Sequence, residues 1–122
     1  MSELVDHFVH EITSFSSGLR AAQQATLDYW RPCNPPAIVA LSELGHRIVD
    51  DFNSVDRATS EAIFKLIEDA LAKGNSELST VVATGMIEGI VGRAIRIGIW
   101  NEVQPLLGKL SASHAAAWAS SC

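Results

Sequence analysis

The stretch Val81-Val82-Ala83-Thr84-Gly85-Met86-Ile87-Glu88-Gly89-Ile90-Val91-Gly92 leaves this chain few folds to choose from. Wound as a helix, it carries Leu78, Val81 and Val82 on one side and Ile87, Ile90 and Val91 on the other. A helix that is apolar all round belongs among other helices, because a single apolar stripe would suffice at a surface. Gly85, Gly89 and Gly92 each weaken a helix by up to ~1 kcal/mol relative to Ala. Their spacing therefore points to close approach of neighbouring helices. Glu88 stands in the middle, and a carboxylate there needs a partner. The expectation is a structural, buried polar residue satisfied by a backbone group or by Arg93 or Arg96.

The 122 residues suit one helical domain over 1–122 and suffice for a sizeable core. Aromatics are few, so that core must be built mainly of Leu, Ile, Val and Ala. The start of the chain lacks a basic segment before an apolar one, so no secretory signal is read there. The run over 78–92 is short for a bilayer and carries Glu88, so the sequence reads as cytoplasmic, with no membrane association. Cys33 and Cys122 have no metal-binding or disulfide-framework spacing.

Charge is uneven. Residues 1–77 hold twelve acids against six Lys or Arg, while residues 78–122 hold two against three. A net charge of −5 without a basic cluster speaks against nucleic acid. It suits a basic protein partner, whose association an acidic field would speed.

Along the chain, Leu4, Val5, Phe8, Val9, Ile12 and Phe15 define a helix over 2–17, with Gly18 as a stop. A second short helix covers 19–30. Pro32, Pro35 and Pro36 make the clearest connection, and Asn34-Pro35 should cap and start the next helix, which runs to Phe52. On it Glu43 and Arg47 form an i,i+4 pair. A helix over about 55–73 closes at Gly74, and Asn75-Ser76 caps the central one at about 77–92. The alternation of Ile95, Ile97 and Ile99 reads as a frayed end and loop. A short helix from Trp100 to Leu107 and a last one capped by Ser111 or Ser113 complete the chain. The fold expected is all-α: five to six helices in antiparallel hairpins around a buried central helix, as a compact bundle or a short HEAT-like stack.

No Walker loop, dinucleotide fingerprint or nucleophile elbow is present, and an enzyme is not expected. His7 and His10, with Glu3, Asp6 and Glu11, are the nearest approach to a metal site. They lack a third fixed ligand and lie on a solvent face, so neither metal nor cofactor is expected. His46 sits beside Asp50 on a polar face, and His114 has no acid near it in sequence. The remaining feature is acidic: Glu43, Asp50 and Asp51 on one helix, Asp56, Glu61, Glu68 and Asp69 on the next. If those helices form a hairpin, the seven make one partner-binding surface.

Finally, the order Ile63-Phe64-Lys65-Leu66-Ile67-Glu68, Ala72-Lys73-Gly74-Asn75, Thr84-Gly85-Met86-Ile87-Glu88-Gly89-Ile90 and Pro105-Leu106-Leu107-Gly108, then Ser111 to Trp118, resembles an uncharacterised bacterial family of small helical proteins. Some of its members are similar to immunity proteins of polymorphic and contact-dependent toxins. The resemblance spans residues 40–118, with Lys109 where the family tends to have Pro. It implies a stoichiometric binder that neutralises a basic nuclease-like toxin domain, monomeric or homodimeric when free. The alternative is a non-catalytic helical scaffold or homo-oligomer subunit using apolar surface near Ile97, Ile99 and Trp100.

Overall fold

The computed structural model describes residues 2–121, and among them there is helix and turn but no strand. Seven helices follow one another: α1 (Glu3–Thr13), α2 (Ser17–Trp30), α3 (Ala37–Asp50), α4 (Arg57–Ala72), α5 (Ser76–Ile97), α6 (Trp100–Val103, tightening to a 3-10 turn Gln104–Leu106) and α7 (Lys109–Ser121). The all-helical expectation holds. The count is seven where five to six were expected.

Local chemistry explains most boundaries. Ser2 caps α1, and Asn75 caps α5 by accepting from Leu78 N–H at 2.9 Å. The first helix stops at Thr13, earlier than expected. There Thr13 Oγ1 donates to Val9 O at 2.8 Å and Ser14 Oγ to Glu11 O at 2.6 Å. Hydroxyls that bond the backbone locally compete with the helix ladder. Ser16 then caps α2 by accepting from Leu19 N–H at 3.1 Å, so Gly18 lies inside a helix rather than ending one. Asn34 does not cap α3, which begins only at Ala37. Pro36 forces Pro35 out of helical geometry, which delays the start.

The central helix is longer than expected, running to Ile97 and ending on Gly98 at φ +83°. The segment 93–97 is helix, not loop. Within it Val82–Ile87 form a π turn. One extra residue in a turn rotates everything after it by about one helical position. That rotation brings the later apolar set round, so Leu78, Val82, Met86, Ile87, Ile90, Val91 and Ala94 are all buried. α5 has 22 residues, more than the short run expected, and its most apolar 18-residue window is apolar enough by length and composition alone to cross a membrane, with a mean hydropathy of 1.3. Half of that window is buried inside the protein, as a core helix requires.

Neighbours pack on α5 from several sides: α3 along most of its length, and α4, α6 and α7 elsewhere. Contacts ascend in both helices on the α3 side. Gly85 meets Ile38 and Leu41, Gly89 meets Ser42, Gly45 meets Met86 and Ile90, and Asp50 meets Arg93. Hence α3 and α5 run parallel, with α4 returning the chain between them. The last helix is likewise parallel to α5, since His114 meets Glu88 and Trp118 meets Gly92. By contrast α3 and α4 scarcely touch, although only a short turn joins them. An antiparallel pair does form earlier: Gly18 of α2 lies against Arg47 and Asp51 of α3, while Tyr29 and Trp30 reach Val39.

Candidate functional site

The α2–α3 pair encloses an open cleft. α2 buries only Leu19 and Thr26, because its inward positions further along are small. Ala22 and Ala25 have nothing to send across the gap, and Thr26 spends its hydroxyl on Ala22 O at 3.1 Å. What remains is an open cleft of about 540 Å³, floored by Ala22, Ala25, Thr26 and Val39. Tyr29 and Trp30 form its aromatic end, their rings 6.2 Å apart and 72° from parallel. Tyr29 is 83% exposed. Glu43, His46, Arg47 and Asp50 supply the polar wall from α3.

The charges of that wall are mostly spent within the protein. Arg47 does not pair with Glu43 as its spacing suggested. Its Nε donates to Asp51 Oδ2 at 2.8 Å. Asp50 accepts both Nε and Nη2 of Arg93, at 2.8 and 3.1 Å, which joins α3 to α5. These hydrogen bonds, with the Asp50 charge and a smaller field from Glu43, hold the Arg93 guanidinium above its usual value. Glu43 itself lies 3.9 Å from His46 Nδ1 and, among the described residues, accepts no hydrogen bond.

The other acidic residues lie elsewhere. Asp56 caps α4, accepting from Thr59 N–H at 2.7 Å, and its hydrogen bonds with Thr59 hold its carboxyl below the usual range. Glu61 pairs with Arg57 at 3.4 Å and Asp69 with Lys65 at 3.1 Å, both on the open face of α4. Glu68 reaches the first turn of α7, where it accepts from Leu110 N–H (2.8 Å), Ser111 N–H (3.0 Å) and Ser111 Oγ (2.8 Å). It is the cap that α7 needs, in place of the expected Ser111 or Ser113. Glu61, Glu68 and Asp69 border a second groove of about 440 Å³ beside Pro105 and Leu106. The single acidic surface expected over 43–69 is therefore corrected. α3 and α4 face different grooves because both pack on α5 rather than on each other.

Glu88 finds a partner that was not expected. Its Oε2 lies 2.9 Å from His114 Nε2, while Arg93 is taken by Asp50. The Glu88 side chain is 23% exposed, so it is partly rather than fully buried. A pair this open contributes at most about 1 kcal/mol. Glu88→Gln, which keeps an acceptor for His114, should shift the urea unfolding free energy by less than about that amount. On α1, His7 pairs with Glu11 at 3.2 Å. Among the described residues no group of three His, Cys, Asp or Glu is placed to hold a metal ion. Cys33 is a free, exposed thiol, and Cys122 lies outside the described residues.

Of the acidic residues singled out from sequence, only Glu43 and Asp50 reach the cleft. Tyr29, Trp30 and the small residues Ala22 and Ala25 on the same helix were missed. A Tyr-Trp pair ending a helix with little apolar periodicity was the available signal.

Fold and cleft together define an all-helical protein built on one buried helix, with an aromatic-ended groove open on one side. The chain belongs to the DUF7674 family, a domain of unknown function, whose family model matches residues 6–120. No curated protein and no solved structure is detectably similar to it.

Proposed function

We propose that this protein is a stoichiometric, non-catalytic protein-binding module of the cytoplasm. On this reading it is an immunity protein that neutralises a basic nuclease-like toxin domain. One observation carries the reading: an open cleft whose end presents an 83% exposed tyrosine beside a tryptophan, with carboxylates on the adjoining wall. Tyr and Trp are the side chains most enriched where proteins meet, because they bury much area at little entropic cost. Acidic side chains on the same rim give the field that draws a basic partner. Within the cleft the Thr26 hydroxyl donates to Ala22 O rather than to a base.

The test is surface plasmon resonance against the products of the neighbouring genes, with a basic toxin domain as the expected partner. Glu43→Lys should slow association and weaken binding by about tenfold or more, with salt reducing the difference. Glu61→Lys, on the other groove, reports whether the α4 face takes part. Asp50, Asp51, Asp56 and Glu68 are poor probes, because each holds the fold together. Absence of any binding, or of rescue from the toxin's effect, overturns the immunity reading.

A second reading has its own observation. Ile95 and Ile97, at the end of α5, are 51% and 45% exposed, whereas Ile99 and Trp100 pack partly against the core. These isoleucines suit a homo-oligomer contact. Light scattering after size exclusion should then show a dimer that Ile95→Ser and Ile97→Ser together convert to monomer; a clean wild-type monomer removes this reading.

A further inference from the structure

We infer that the α2–α3 cleft accepts a single cationic side chain, a lysine or arginine, presented by the partner protein. This deepens the binding-module reading and rests on it. Charge bookkeeping singles out the ligand. Arg47 is held by Asp51 at 2.8 Å, and Arg93 is held by both oxygens of Asp50. Those pairs leave Glu43, 52% exposed and 3.9 Å from His46 Nδ1, as the carboxylate of the wall without a hydrogen bond among the described residues. A guanidinium or ammonium would supply the charge-assisted hydrogen bonds that Glu43 lacks.

Shape agrees with charge. About 540 Å³ is far more than a bare ion fills, and fits a long side chain with the backbone that carries it. The alanine floor suits the aliphatic stem of Lys or Arg. The exposed face of Tyr29, next to Trp30, is where a cation gains from an aromatic quadrupole. An anion would fare worse, because Glu43 and Asp50 stand on the same wall and Arg47 and Arg93 each already face a carboxylate.

The experiment is a ¹H–¹⁵N NMR titration of the whole protein with blocked tripeptides: Ac-Gly-Lys-Gly-NH2 and Ac-Gly-Arg-Gly-NH2, against the Glu and norleucine equivalents. Shifts are expected for the cationic peptides only, confined to residues 22–30 and 39–50. Glu43→Gln and Tyr29→Ala should each weaken binding about fivefold or more, while Glu61→Gln leaves it unchanged. Both cleft residues are exposed, so urea unfolding of these variants should match wild type. Equal shifts from the Glu or norleucine peptide, or binding indifferent to Glu43→Gln, overturn the inference. A basic partner that binds Glu43→Gln and Tyr29→Ala as tightly as wild type keeps the binding module and overturns this occupant. Selective peptide binding in a protein that neutralises no toxin keeps the occupant and overturns the immunity reading.

Discussion

Gly45→Val should cost this protein about 3 kcal/mol or more of stability, measured by urea unfolding. A Cβ at Gly45 would lie 2.8 Å from Met86 O and 3.2 Å from Ile90 N, and both are backbone atoms of α5. Backbone inside a helix cannot step aside as a flexible side chain can, so α3 must move bodily outward. Moving it would also loosen Gly85, whose Cβ would meet Ile38 O at 2.9 Å, and Gly89, whose Cβ would meet Ser42 O at 3.0 Å. Even Gly45→Ala should be destabilising. Its helix-propensity gain of up to ~1 kcal/mol is smaller than the ~1–3 kcal/mol typical of overpacking a tight contact. Gly92→Ala supplies the opposite sign. Its Cβ would only touch the Trp118 ring at 3.4 Å, an ordinary contact, so the propensity gain should survive and stability should rise or hold. If Gly45→Ala and Gly92→Ala behave alike, α3 and α5 are not in the close parallel contact described above.

Glu68→Ala should have the second largest effect, a loss of about 2 kcal/mol, because it strips α7 of its cap. Three donors lose their acceptor together: the Leu110 and Ser111 amides and the Ser111 hydroxyl. Ser111 is 1% exposed, so water cannot replace the two bonds it loses, although it can reach the Leu110 amide. Loosening of α7 should extend to Ala115 and Trp118, which pack against the core, and fluorescence of Trp118 should report it before global unfolding.

The same residue makes α7 sensitive to acid. Desolvation pushes the Glu68 carboxyl upward, but the hydrogen bonds from Ser111 and Leu110 outweigh it and hold the group below its ordinary 4.5. A carboxyl whose folded value lies below its unfolded one stabilises fully above the unfolded value. That contribution is lost as pH falls through the folded value. The stability difference between wild type and Glu68→Gln should therefore be constant near neutrality and shrink as pH drops below 4.5. A difference that stays flat into that range would mean that the carboxylate charge is not what holds α7.

Particular residues show how far the sequence reaches. Asn75 caps the helix it was expected to cap, and Gly74 takes the left-handed φ of +76° expected at a helix end. The apolar periodicity of α1, α3 and α4 picks out Phe8, Leu41, Leu44 and Ile67, all of which are buried. Such features are local: a cap, a stop or a 3.6-residue stripe is settled within a turn or two of chain. The candidate site was less legible, because its aromatic end and alanine floor matter only once α2 lies across α3.

By itself, then, the sequence determined an all-helical protein, its buried centre at α5, and glycines there that invite close neighbours. Only the tertiary structure decided that α3 and α5 run parallel, that Glu68 caps a helix 42 residues away, and that His114 meets Glu88. It also decided that the acidic residues of α3 and α4 face different grooves. The reason is physical. A helix's apolar stripe states which face is buried but not which neighbour buries it. A free carboxylate bonds whichever donor the packing brings within 3 Å or so.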